Sequence, residues 1–131
     1  DTAADISNED SLSNATFYWQ AYLDDSTGKM EFRKIPANDT LTSNSIIDFL
    51  NQANTNIKLE FIKKSNDTIF IRIPDAMYLT QQMGSTGPTM YLSEVVYNLT
   101  QIPGIKEVNF DFEEGSHASP GTYNRTSFDE K

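Results

Sequence analysis

Between Pro88 and Phe112 the hydrophobic period changes once, and no other stretch constrains the fold as much. Leu92, Val95, Val96, Leu99 and Ile102 recur at helical spacing, with Ser93, Glu94, Asn98 and Gln101 facing away from them. Pro88 suits a first helical turn, where its missing N–H is not needed. Pro103-Gly104 stops the helix and turns the chain. Val108, Phe110 and Phe112 then alternate with Glu107, Asn109 and Asp111, the pattern of a strand with one buried face. A helix that is apolar along one stripe and leads into such a strand needs a sheet to lie on.

The upstream residues supply that sheet. In "FYWQAYL", Phe17, Trp19, Ala21 and Leu23 share one face, and Tyr18, Gln20 and Tyr22 the other. "DDSTG" carries turn chemistry and "KMEFRKI" alternates again, which predicts a hairpin. Ile46, Ile47, Leu50 and Ala53 fall on one helical face, with Ser43 or Asn44 placed to cap it. Ile57, Leu59 and Phe61 alternate, then Ile69, Ile71 and Ile73, with "KSND" between them and Pro74 as a stop. "DAMYLTQQM" fits one or two helical turns. The order β-β-α-β-β-α-β predicts an α+β fold, a two-layer sandwich whose mixed five-stranded sheet carries two helices on one face. Residues 1–14 read as a disordered acidic leader or tether, 15–114 as the domain, and 115–131 as a polar C-terminal tail.

The formal charge of −9 is concentrated in the ends. Asp1, Asp5, Glu9 and Asp10 stand in the first fourteen residues with no base beside them. A nucleic-acid binder needs a basic stripe, and none is visible. No apolar run approaches the ~20 residues that cross a bilayer as a helix. The absence of cysteine excludes disulfides, thiolate catalysis and Cys-ligated metals in this chain.

Catalytic chemistry has few candidates. His117 is the only histidine and lies in the polar tail, so no two-histidine metal site can form within this chain and a rigid Ser-His pair is not expected. Asp24-Asp25 and Glu113-Glu114 are adjacent acids, at a turn and a strand end, that lack the spacing of a calcium loop. The chain therefore reads as non-catalytic, without cofactor or metal. "GSTGPT" misses the phosphate-binding glycine motifs in spacing and in its lack of lysine. Gly84-Ser85-Thr86-Gly87 matches the spacing of a KH-type loop, which leaves a small RNA-binding module as the alternative. Its simpler reading is a turn into a helix.

The glycine loop, the apolar helix and "VVYNLTQIPGIKEVNF" together resemble the GerMN domain family, with Leu99-Thr100, Pro103-Gly104-Ile105 and Val108 in matching positions. "FYWQAYLDDSTGKMEFRKI", "SIIDFLNQA" and "IKLEFIKKSNDTIFIRIP" resemble that family's first hairpin, first helix and second hairpin. Residues 15–114 are thus GerMN-like, although Ile73-Pro74-Asp75 and the end of the first helix depart from the family pattern. The resemblance implies a non-enzymatic module of the bacterial cell envelope, periplasmic or lipid-anchored, that binds a protein partner or peptidoglycan. It would reach a membrane only through a lipid anchor upstream of residue 1.

Alternation directs Tyr18, Tyr22, Phe70 and Arg72 away from the core. Aromatic groups with an arginine on an open sheet are typical of interaction surfaces, so these four residues are the expected binding site for an envelope protein or glycan.

Overall fold

The computed structural model describes residues 5–6, 16–37, 41–84 and 86–128. Strands β1 (Asp5–Ile6), β2 (Phe17–Leu23) and β3 (Met30–Pro36) precede helix α1 (Ser43–Ala53). Strands β4 (Glu60–Ser65) and β5 (Thr68–Arg72) follow, then a π-helical turn, Tyr78–Gln82, and helix α2 (Gly87–Leu99). Strands β6 (Glu107–Asp111) and β7 (Gly121–Tyr123) and a 3-10 turn, Arg125–Phe128, complete the order. The fold is α+β, and no helix of the described residues is long and apolar enough to cross a membrane.

The strands form two sheets rather than the single expected one. The larger runs β1-β4-β5-β6-β7, with β5 and β6 parallel and the other pairs antiparallel. The β2–β3 hairpin is a separate two-stranded sheet. It is replaced in the larger sheet by segments that the hydrophobic pattern did not mark. Asp5–Ile6, within the supposed leader, pairs with Ser65 and Lys64, and Gly121–Tyr123, within the supposed tail, pairs with β6.

Ile69 and Ile71 of β5 and Val108 and Phe110 of β6 form the dry face, each at most 1% exposed. Ile46, Ile47 and Leu50 of α1 and Leu92, Val95, Val96 and Leu99 of α2 share one core with them. Burial of this kind stabilises by roughly 25 cal/mol per Å² of apolar surface. Ile57 and Leu59 are buried ahead of β4. A bulge between Phe61 and Lys63 turns Phe61 toward Ile71 and Lys63 toward Phe70, so Ile62 is the extra residue and not an outward one in a regular ladder.

Helix α1 is capped by Thr42, one residue earlier than expected. Its Oγ1 accepts from the Ser45 N–H at 3.0 Å, and the Thr42 N–H donates to Ser45 Oγ at 2.8 Å, a reciprocal capping box. Asn51 of α1 then holds the approach to β4 with both ends of its amide. Its Nδ2 donates to the Leu59 carbonyl at 3.1 Å, and its Oδ1 accepts from the Leu59 N–H at 2.8 Å.

Candidate functional site

The polar side of α2, expected to face water, is buried beneath the hairpin. Ser93 and Asn98 are fully buried and Glu94 is 9% exposed. Antiparallel pairing uses alternate backbone groups of β2 and leaves those of Phe17, Trp19 and Ala21 on its outer edge. Side chains of α2 satisfy that edge. The Trp19 N–H donates to Asn98 Oδ1 at 2.7 Å, and Asn98 Nδ2 donates back to the Trp19 carbonyl at 2.9 Å. The Ala21 N–H donates to Glu94 Oε2 at 3.0 Å, and Gln101 Nε2 donates to the Phe17 carbonyl at 3.3 Å. The helix stands where a third strand would.

Both flanks of that junction carry aromatic rings. On one, Phe32 stacks on Tyr97 with centroids 4.0 Å apart, and Trp19 meets Phe17, Phe32 and Tyr97 edge to face. Lys34 Nζ lies 4.7 Å from the Phe17 ring centroid, and the Arg125 guanidinium 4.6 Å from that of Tyr97. All four rings are half-buried and Lys34 is exposed. On the other flank, Tyr18 stacks on Phe49 of α1 at 3.8 Å.

The four expected binding residues therefore do not converge. Tyr18 is packed against the core through Phe49. Tyr22 lies under the Arg33 guanidinium, 4.1 Å from its ring centroid, on the same hairpin. Phe70 and Arg72 occupy the larger sheet, on the face turned away from the helices. There Lys63 lies over Phe70 at 5.1 Å, and Arg72 Nε approaches Asp111 Oδ2 at 3.8 Å. The expectation of one face failed because it placed the hairpin inside the larger sheet.

Beside the junction, a pocket of about 210 Å³ opens between β2, the end of α1 and the start of α2. Among the described residues that line it, Glu94 is the one carboxyl group and no side chain is basic. Burial holds the Glu94 carboxyl above the ordinary glutamate range, with hydrogen bonds from the Ala21 N–H and the Asn54 side chain opposing that shift. Tyr91, one helical turn before Glu94, is 3% exposed, and its buried hydroxyl has no hydrogen-bond partner among the described residues. Burial, reinforced by the Glu94 charge, raises the phenol far above its ordinary value.

The glycine loop borders this pocket. Gly84 adopts φ +76°, where glycine is at ease, and a β-carbon on Gly87 would come within 2.6 Å of Met83 Cβ. Those are requirements of a tight turn into α2. Ser85 lies outside the described residues.

Two of the other candidate acids, Asp24 and Glu114, have local tasks. Asp24 Oδ1 accepts from the Ser26 N–H and Oγ and from the Thr27 N–H, which closes the β2–β3 turn. The Ser26 hydrogen bonds, then that of Thr27, hold its carboxyl below the usual range. Glu114 Oε2 accepts from Ser119 Oγ. His117 is exposed, and its backbone N–H donates to the Thr80 carbonyl. The supposed tail is docked by Arg125, whose Nε donates to Thr100 Oγ1 and whose Nη2 donates to the Tyr97 carbonyl, both at 2.9 Å.

No protein-family model, curated protein or solved structure matches the chain.

Proposed function

We propose that the protein is a non-catalytic, GerMN-like interaction module of the bacterial cell envelope that binds wall glycan through the aromatic face of its hairpin. The observation that carries this reading is the cluster of Phe17, Trp19, Phe32 and Tyr97, half-exposed and flanked by Lys34 and Arg125. Aromatic rings offer large, rigid apolar surface, which suits the apolar faces of sugar rings. The two cations stand out in an acidic chain and suit the carboxylates that wall polymers carry. The envelope location rests on the resemblance of residues 15–114 to that family, and a lipid anchor upstream of residue 1 belongs to the same reading. The Phe70 and Arg72 face has fewer aromatic groups and is the lesser candidate.

Trp19 is the only tryptophan, so its fluorescence reports directly on this face. Titration with soluble peptidoglycan fragments should change its emission saturably, and Lys34→Ala should weaken that response. An unchanged spectrum at saturating fragment overturns the glycan reading. Retention of an envelope protein by the wild type and not by Lys34→Ala would assign the face to a protein partner instead.

A further inference from the structure

We infer that the aromatic face continues past Arg125 into a groove that holds the short peptide carried by wall glycan. The inference rests on the glycan reading and extends its ligand from sugar to sugar with peptide. Arg125 joins the two surfaces. Its guanidinium lies 4.6 Å from the Tyr97 ring centroid, and the same residue lines a groove of about 520 Å³ with Asp67, Thr100, Lys106, Glu107 and Asn124. That volume falls within the ~300–1,000 Å³ usual for ligand sites. The Lys106 and Glu107 N–H groups both donate to the Asp67 carbonyl, at 2.8 and 3.1 Å, which ties the start of β6 to the β4–β5 turn and fixes one wall.

The charges of the groove select the ligand. Nε and Nη2 of Arg125 are committed to Thr100 and Tyr97, which fixes the guanidinium, while Nη1 makes no hydrogen bond among the described residues. Among the same residues, the side chains of Lys106 and Glu107 have no ion pair, and the Asp67 carboxylate accepts from Thr68 Oγ1 alone. Two cations and two acids therefore share one groove without neutralising one another. A polyanion would meet the acids, and a simple cation the bases. The end of a short peptide brings a carboxylate and an ammonium together, the first for Arg125 and Lys106 and the second for Asp67 and Glu107. Asn124 Oδ1 is occupied by Thr126 Oγ1 and the Ser127 N–H, which leaves its Nδ2 to donate to a peptide carbonyl.

Titration of the full chain with two soluble probes tests the inference: an N-acetylglucosamine tetrasaccharide, which offers sugar alone, and a wall disaccharide bearing its tetrapeptide. Trp19 emission reads the aromatic face, and ¹H–¹⁵N NMR at the amides of Thr100, Lys106, Asn124 and Thr126 reads the groove. Both probes should change the emission, and the peptide-bearing one alone should shift the groove amides saturably and bind more tightly. Lys106→Ala removes an exposed side chain and should weaken the peptide-bearing probe about threefold, the worth of an exposed ion pair, while leaving the tetrasaccharide unaffected. Added salt should narrow the gap between the probes. Equal affinities with unmoved groove amides would overturn the inference and leave the glycan reading standing. Groove shifts without any emission change from either probe would overturn the glycan reading and keep the peptide site. Unaltered affinity of folded Lys106→Ala for the peptide-bearing probe at low salt would overturn the assignment of the carboxylate.

Discussion

Asn98 pairs with Trp19 as a residue of a neighbouring strand would, accepting from its N–H at 2.7 Å and donating to its carbonyl at 2.9 Å. Asn98 Nδ2 also donates to the Glu94 carbonyl at 2.8 Å. Replacement by alanine strands these backbone groups in a part-buried junction, where each unsatisfied group costs about 1–3 kcal/mol. Asn98→Ala should lose about 2–3 kcal/mol in denaturant unfolding, and the Trp19 amide should lose protection from hydrogen exchange. Unchanged protection at Trp19 would show that the hairpin is held by other contacts.

Glu94 gives the stability a pH slope of known sign. Its folded proton affinity is raised above the ordinary value of 4.5, so the folded state binds more protons than the unfolded state over that interval. Stability from this group is therefore fully present below the ordinary value and is lost as pH rises through the raised one. Glu94→Gln should remove this slope, so the wild type should lose stability relative to the variant as pH rises from acid to neutral. Parallel denaturation profiles would rule out the effect.

Tyr18 and Phe70, expected on one face, should respond differently to truncation. Tyr18→Ala removes a ring stacked on Phe49 and packed on the core, for an expected loss of about 2–3 kcal/mol. Phe70→Ala acts on the open sheet face, and its cost should stay below about 1 kcal/mol. Chemical denaturation of both variants checks the order, and equal losses would contradict it.

Gly87→Ala forces a β-carbon toward Met83 Cβ, backbone-proximal and unable to swing away. Overpacking of this kind costs about 1–3 kcal/mol. A thermal melt that matches the wild type would mean that the turn shifts freely.

Much of this arrangement was legible in the residues. The apolar spacing of 92–102, the stop at Pro103-Gly104 and the alternation of 69–73 and 108–112 correspond to α2, the turn after it, β5 and β6. The hairpin itself was legible, but its position was not. Asn98 and Glu94 look like solvent-facing residues until a backbone edge is laid against them, and local pattern carries no sign of that edge. Gly121–Tyr123 has too little apolar content to announce a strand, although it pairs with Val108, Asn109 and Phe110. The pocket was missed for the same reason, since Tyr91 and Glu94 acquire their burial from β2 and α1. Both residues stand one turn apart on α2, and an acid beside an aromatic on a helix flank was the available signal.

The coverage of β2 by α2 also bears on how this chain coexists with others at high concentration. An unpaired strand edge is a template for aggregation, and long flat edges are the most hazardous. The larger sheet ends in strands of two and three residues, too short to recruit a neighbour effectively. In the hairpin, one seven-residue edge is occupied by helix side chains. The other, on β3, carries exposed Glu31, Arg33 and Lys34 and ends at Pro36, which has no N–H to donate. Loss of the Asn98 and Glu94 contacts would uncover, among the described residues, a seven-residue edge with no charges of its own to guard it, so the same two side chains that place the hairpin also shield that edge from pairing with another chain.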